Sequence, residues 1–196
     1  MRSSRWACAS ALLLGLAFLP TGTVAFEASP APSVRVDGSL PKTGTLSVAE
    51  LERLGPVTLA WTTHGETDQV KGVRVDKVLA HFGFTPGPMG KDVPLSQKVK
   101  GYRQVLVATA RDGFQAVFSC AEVSEGMGQT VALLAWEVDG KPLASDVGPF
   151  RLVVLTDGMP SRSIRQLERL RVLDAPGCCA RSPEGPGSPR DLDEAH

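Results

Sequence analysis

The sequence has few of the side chains that build metal sites. Its 196 residues include 3 His and 4 Cys, so imidazole and thiolate ligands are scarce. It also lacks an excess of charge, because 21 basic and 21 acidic side chains cancel. Proteins that bind nucleic acid need a basic surface against the phosphate backbone, so this balance argues against a nucleic-acid partner.

Common catalytic signatures are missing as well. The sequence contains no phosphate-binding loop, no dinucleotide fingerprint, no His or Cys pair at metal-binding spacing and no nucleophile elbow. Hydrophobic residues make up 42% of the chain, which excludes disorder over its whole length. The size predicts one domain with tails, since most domains have about 100–150 residues.

The apolar run of residues 7–19 is too short for a permanent membrane anchor. It has 13 residues and ends before Pro20, whereas a membrane helix needs about 20. Arg2 and Arg5 precede it, and small residues lead to Ala25, a pattern typical of a cleaved secretory signal peptide. Because the two arginines are not adjacent, we expect export of the unfolded chain. The sequence therefore predicts an exported protein, periplasmic or extracellular, with no stable membrane anchor.

Composition divides the chain into four parts. Residues 1–25 are the predicted signal peptide, residues 26–31 a short linker and residues 32–174 the folded domain. Residues 175–196 are rich in Pro and Gly and poor in apolar side chains, which predicts a disordered tail. Cys178 and Cys179 fall in this tail, where they can serve an intermolecular bridge or a metal contact, or have no role.

Short strands dominate the predicted domain. Asp112-Gly113 and Asp139-Gly140 each favour the positive φ angles of a tight hairpin turn. Trp61 and Trp136 fall within strand runs, where we expect them in the core. The predicted strands cover residues 33–36, 57–63, 104–110, 114–119, 131–138, 150–155 and the second half of 164–173; the spacing of apolar residues in the last segment also permits a helix.

Two short helices are predicted between the strands. Ser47 and Glu50 form a capping box for a helix that ends at Gly55. An apolar stripe at helical spacing predicts a second helix over residues 73–82. Several sheets with a few short helices between them indicate the α+β class.

The order of local motifs resembles a known family. The motifs are Val36-Asp37-Gly38, residues 46–51, residues 62–65, residues 71–75, residues 110–119, Glu122, residues 139–143, residues 148–154 and residues 162–165. In this order, over residues 34–172, they resemble the oxidoreductase molybdopterin-binding domain of the sulfite oxidase family, in its small stand-alone exported form. The resemblance implies the sulfite-oxidase-like molybdopterin-binding fold, with mixed β-sheets and a few short helices.

The resemblance also implies a cofactor, a molybdenum ion held by molybdopterin and by one cysteine thiolate. In the family that cysteine lies at the end of a strand, which here corresponds to Thr62, Thr63 or His64. None of the three is a cysteine, and Cys120 comes more than fifty residues later. A hydroxyl or an imidazole does not reproduce the charge of a thiolate on a soft metal. The missing cysteine and the missing twin-arginine signal therefore argue against bound molybdopterin.

The same three positions remain candidates for a pocket in this fold. His64 ends a hydrophobic strand and precedes Gly65, where its imidazole can act as a ligand or donate to an anion. The alternative is a strand-end histidine that bonds to a nearby turn. We therefore predict Thr62, Thr63 and His64 as cofactor-binding or pocket residues.

Three arginines are the other candidates. In the family, the elements that carry Arg151, Arg162 and Arg165 meet at one end of the domain. Guanidinium groups bind phosphate bidentately, so these residues can hold a pterin phosphate or another anion. The alternative is a set of surface charges paired with Glu168 or Asp157, which contribute little to stability.

The sequence thus predicts a molybdopterin-binding-type domain that lacks the metal-ligand cysteine and binds an anionic small molecule or partner. One alternative is an active molybdopterin-dependent oxidoreductase, with a redox partner, in which His64 or Thr63 replaces the thiolate. Another is a non-catalytic accessory subunit with a vestigial pocket.

Overall fold

The computed structural model describes residues 31–87, 92 and 101–175. This part of the chain forms ten strands and two short α-helices. The strands are β1 (Ser33–Gly38), β2 (Gly44–Ser47), β3 (Val57–Thr63), β4 (Glu66–Arg74), β5 (Gln104–Ala110), β6 (Gln115–Ser119), β7 (Ala132–Val138), β8 (Lys141–Pro142), β9 (Arg151–Val154) and β10 (Leu167–Asp174). The helices are α1 (Val48–Leu51) and α2 (Val75–His81), and 3₁₀ turns cover Glu52–Leu54, Gly101–Arg103 and Pro160–Arg162.

The first sheet has the strand order β2-β1-β10-β5-β6. β1 and β10 are parallel, and the other neighbours are antiparallel. Residues alternate between buried and more exposed positions along β5 and β6, because successive side chains of a strand point to opposite faces. One face therefore packs on the core and the other faces solvent.

The second sheet has the order β3-β4-β7-β8, and β9 also pairs with β7. The first five residues of β7 are all buried, so this central strand contacts apolar side chains on both faces. On one face, Leu134 and Leu152 join the main core, which also takes the inward side chains of the first sheet and of α2. On the other face, Trp61, Val70, Leu133, Ala135 and Val153 form a second cluster.

The predicted turn chemistry is confirmed at Ser47, Gly55 and Asp139-Gly140, but not at Asp112. The Glu50 carboxylate accepts hydrogen bonds of 2.7 Å from both the backbone N–H and the hydroxyl of Ser47, and Gly55 ends the following 3₁₀ turn with φ of 76°. Asp139 and Gly140 both adopt positive φ between β7 and β8. β5 and β6 pair antiparallel as predicted, but of Asp112 and Gly113 only Gly113 has positive φ, and the connection has four residues.

The second helix is shorter than predicted. It begins at Val75, because Val73 and Arg74 belong to β4 and pair with Leu134 and Leu133 of β7. β4 as a whole and the short strand β2 were not predicted. The strand predicted for the second half of residues 164–173 is confirmed as β10, while Ile164 forms an isolated bridge with Leu152.

The α+β class is confirmed, with mixed sheets and few short helices. The described residues belong to one compact unit, Ala31–His196. The predicted signal peptide, all of the linker except residue 31, and the predicted tail beyond residue 175 lie outside the described residues. Within them, no helix has the length and apolar character needed to cross a membrane.

Candidate functional site

The β3–β4 hairpin carries three of the predicted site residues. Its two-residue turn consists of His64 and Gly65, with φ of 51° and 85°, as tight hairpin turns require. Trp61 of β3 lies opposite Asp68 of β4. Because cross-strand partners project from the same face, the Trp61 ring and the Asp68 carboxylate share one side of the sheet.

Arg151 meets Trp61 on this face. It is the first residue of β9 and pairs with Ala135 of β7. Its guanidinium carbon lies 4.4 Å from the centroid of the Trp61 ring, close enough for a cation–π contact. The ring itself is only 4% exposed, which confirms the prediction that Trp61 is buried.

Two N–H donors at this contact have no hydrogen-bond partner. They are Nε of Arg151 and Nε1 of Trp61, both buried and both without an acceptor in the part of the chain that the structure describes. A buried polar group without a partner costs about 1–3 kcal/mol. An acceptor that reached either donor would recover part of that free energy.

The charges around Arg151 do not offset its burial. Burial lowers the pKa of its guanidinium, the nearby charge of Arg165 lowers it further, and Asp68 raises it in part. Two cations thus stand against one carboxylate. An anion at this position would favour the charged form of Arg151.

Arg165 is exposed. No hydrogen bond or ion pair within the described ranges involves its side chain. Its positive charge nevertheless lowers the pKa of Arg151. The structure therefore brings two of the three predicted arginines, Arg151 and Arg165, into electrostatic range of each other.

The residues of the hairpin tip are placed differently from one another. The Thr62 hydroxyl lies 2.8 Å from the Thr67 hydroxyl, and alternation puts it on the face opposite Trp61. Thr63 is half-buried at the end of β3 and shares the face of Trp61, while His64 is exposed in the turn. Thr63 is thus the hairpin residue best placed beside the Trp61–Arg151 contact.

Arg162 belongs to a separate group. Its guanidinium donates to both carboxylate oxygens of Asp157, at 2.8 and 2.6 Å, and to Glu122 at 2.5 Å. It lies 4.9 Å from the centroid of the Phe118 ring. Its hydrogen bonds to Asp157, and then those to Glu122, raise its pKa. This is the ion pairing with Asp157 that the sequence offered as the alternative for Arg162; anion binding by this residue stays a prediction.

Sequence reasoning missed Asp68 and the contact of Trp61 with an arginine. A signal for the second was present, because Arg151 is the single charged residue in an otherwise apolar strand segment, residues 150–155. A charge at the start of a buried strand indicates a special partner. The position of Asp68 depends on strand pairing and has no comparable local signal.

The family model of the oxidoreductase molybdopterin binding domain matches residues 26–178. This chain belongs to that family. The match spans the whole described domain, so the molybdopterin-binding-type fold predicted from the motif order is confirmed. No curated protein matches the sequence closely enough to count as a relative.

A solved structure with a similar fold is the sulfane dehydrogenase SoxCD from Paracoccus pantotrophus. The two chains are 16% identical and superpose with a TM-score of 0.53. The similarity covers 72% of this chain but 38% of the SoxCD chain, so this protein matches well under half of that enzyme's length. At this identity the comparison supports the shared fold.

The described side chains at positions 62–64, where the resemblance implies the molybdenum ligand, do not fit that role. The strand end at positions 62–64 offers hydroxyl oxygens and an imidazole, with no thiolate. Cys120 follows β6 of the first sheet, is fully buried, and has a pKa raised to about 12, chiefly by burial and also by the charge of Asp174. A thiol in that state is protonated at neutral pH, whereas the ligand form is the thiolate. Among the described residues, no group of three His, Cys, Asp or Glu side chains could hold a metal ion.

Proposed function

We propose that this protein is an exported member of the molybdopterin-binding family that binds an anionic small molecule, or an anionic group of a partner, at Trp61 and Arg151. It does so without the cysteine that would hold molybdenum. The observation that carries the proposal is the pair of buried, unpartnered donors, Arg151 Nε and Trp61 Nε1.

The electrostatics support an anion rather than a neutral ligand. Arg151 is half-buried beside Arg165, and Asp68 is the one carboxylate among the described residues that acts on its pKa. A ligand with a negative oxygen would pair with the guanidinium and accept from the indole N–H. Hydrogen bonds between charged groups are stronger than neutral ones, so an oxyanion gains most from this arrangement.

The aromatic ring supports a fixed geometry for the guanidinium. Trp61 holds the face of Arg151 at 4.4 Å, which leaves the in-plane N–H groups to point at a ligand. Thr63 at the end of the same strand supplies a hydroxyl on that side. These groups can bind and orient an anion; the chain's own side chains suggest no redox step.

The experiment is a thermal-shift measurement with a panel of oxyanions, including sulfite, sulfate and phosphate. A ligand at a hundred times its Kd stabilises the folded state by about 2.7 kcal/mol. Arg151→Gln should reduce the shift to what any other anion site on the protein produces. Arg53→Gln, which removes an exposed arginine from the 3₁₀ turn Glu52–Leu54, should leave it unchanged. A saturable shift of equal size in both variants would contradict the proposal.

Family membership supports one other candidate, an active molybdopterin-dependent oxidoreductase with Thr63 or His64 in place of the thiolate. Molybdenum content and the fluorescent oxidised pterin, measured on protein purified from its native source, separate the two. Stoichiometric metal and pterin would favour the oxidoreductase. If the purified protein contains neither molybdenum nor pterin, and no anion shifts its melting temperature, the result would favour a non-catalytic accessory subunit.

Export has its own test. Cleavage after Ala25 predicts a mature protein that begins at Phe26, which mass spectrometry of the protein from its native source can detect. An intact N-terminus on protein recovered from the cytoplasm would contradict the proposed export to the periplasm or the cell exterior.

A further inference from the structure

A second basic cluster lies on the solvent face of the first sheet, apart from the Trp61–Arg151 contact. Arg35 and Asp37 of β1 lie beside Arg169 and Arg171 of the parallel strand β10. All four occupy the face opposite the core, since the apolar residues between them are buried. The three arginines surround one carboxylate, which leaves an excess of two positive charges.

Asp37 positions these arginines. Its carboxylate accepts from Arg35 Nε at 2.7 Å and from Arg169 Nε and one terminal nitrogen at 2.6–3.1 Å. Arg171 Nε lies 3.5 Å away. Asp37 is nearly buried, with 9% of its side chain exposed, whereas 66% of the Arg35 side chain is exposed. The aspartate is therefore fully engaged, and the guanidinium groups reach past it into solvent.

A cavity of about 370 Å³ opens at the end of this sheet. Its lining includes Arg35, Arg169 and Arg111, with Glu168 and Ser33. Its volume lies in the range of pockets that hold small molecules. Arg35 and Arg111 flank β10 on its two sides, on β1 and just after β5. Arg35 aligns through Arg169 with Thr109, and Arg111 lies two residues further along, so the two backbones lie roughly 12 Å apart.

The lining arginines keep donors for a ligand. Arg35 uses only Nε, and Arg111 uses only Nε in a 3.3 Å bond to Glu168. In the described part of the chain, the terminal nitrogens of Arg35 and Arg111 have no hydrogen-bond partner. Each terminal pair can bind a carboxylate or phosphate group in the bidentate manner.

We propose that this cavity is a second anion site, which binds a small molecule carrying two or more acidic groups, carboxylate or phosphate. One acidic group pairs with Arg35 and the other with Arg111, while Arg169 adds charge between them. Glu168 opposes the ligand, because its carboxylate occupies Arg111 and repels a second anion. This site is independent of the function proposed for Trp61 and Arg151.

Isothermal titration with citrate and with pyrophosphate tests the site, with acetate at matched ionic strength as the reference. The protein without residues 1–25 should bind at least one of the two polyanions saturably and should bind acetate far more weakly. The double variant Arg35→Gln/Arg111→Gln should weaken binding at least about tenfold, since it removes two charge-assisted contacts. Both side chains are more than half exposed, so the variant should fold.

Two further variants make the test specific. Glu168→Gln should tighten binding severalfold, the opposite of what loss of a merely structural ion pair would do. Arg53→Gln, which removes an exposed arginine outside the cavity, should leave this binding unchanged, which separates the site from a general effect of surface charge. The proposal is overturned if neither polyanion binds saturably, if the double variant binds as the native chain does, or if Glu168→Gln weakens binding.

Discussion

Arg151 and Arg162 are eleven positions apart, and each places its guanidinium over an aromatic ring, yet their surroundings are opposite. Arg162 lies over Phe118 and is paired with Asp157 and Glu122, which raise its pKa. Arg151 lies over Trp61 with no ion pair among the described residues, and burial beside Arg165 lowers its pKa. The charge of Arg162 is therefore paired with carboxylates within the fold, and the charge of Arg151 has no such partner among the described residues.

The difference separates two uses of the same side chain. A guanidinium with two carboxylate partners stabilises the folded chain, because loss of the arginine leaves buried or half-buried charges unpaired. A buried guanidinium with an orphaned N–H costs free energy in the folded chain. A ligand that completes its hydrogen bonds is one explanation for such a group, and the predictions below test it.

The largest effect is expected for Arg162→Ala. The change removes the bonds to Asp157 and Glu122 and leaves Asp157, 15% exposed, without its main partner. Since Arg162 itself is 36% exposed, solvent reduces the cost to about 2–3 kcal/mol. Urea unfolding measures it as a lower midpoint.

Arg165→Ala is the matched control, because Arg165 is exposed and makes no hydrogen bond with the described residues. Its effect on unfolding should stay within about 0.5 kcal/mol. Equal losses in the two variants would show that the Asp157–Arg162–Glu122 group contributes no more than an ordinary surface charge.

Much of the fold was predictable because its signals are local. The turn at Asp139-Gly140, the capping box of Ser47 and the alternation in β5 depend on neighbours in sequence. β4 was missed because its strand character depends on pairing with both β3 and β7. Its Gly72 shows this, since a Cβ there would come within 2.6 Å of the Leu134 carbonyl oxygen. Close approach of a distant strand leaves no periodic pattern in the sequence.

The residues of the site could be predicted from the sequence, but which of them contact one another could not. Arg151 and Arg165 were predicted and lie near each other, whereas Arg162, three positions from Arg165, turns to Asp157 and Glu122. The partner of Arg151 is Trp61, and the contact depends on the registers of β3, β4, β7 and β9 together. The charges at Arg35, Asp37 and Arg169 alternate along two strands, but only the parallel pairing of those strands makes them one cluster.

Asp37→Asn tests a carboxylate whose hydrogen bonds are supplied within the fold, as those of Arg162 are. Burial would raise the pKa of Asp37, but hydrogen bonds from Arg169 and Arg35 outweigh it and hold the pKa below its ordinary value of 3.8. The stability from this ionised group is therefore complete above that value and is lost as the pH falls through the lower pKa of the folded state. At neutral pH the variant should lose about 1–2 kcal/mol.

Urea unfolding of both proteins over a series of pH values measures this loss. The gap between native chain and variant should narrow as the solution becomes more acidic than the ordinary pKa of the carboxyl. A gap of constant size across the series would mean that the asparagine acts through packing, and that the charge of Asp37 is not what stabilises the sheet.

The smallest expected change in the free energy of unfolding is a stabilisation. Arg151→Met replaces an unpaired, half-buried charge with an apolar side chain that can keep contact with the Trp61 ring. It should therefore stabilise the protein by up to about 1 kcal/mol in anion-free buffer. Added sulfate stabilises folded proteins in general by its exclusion from their surface, so it should raise both urea midpoints. It should raise that of the native chain more than that of the variant, so the gap between the two narrows. If Arg151→Met instead destabilises the protein as Arg162→Ala does, Arg151 is a structural residue, and the distinction between the two arginines fails.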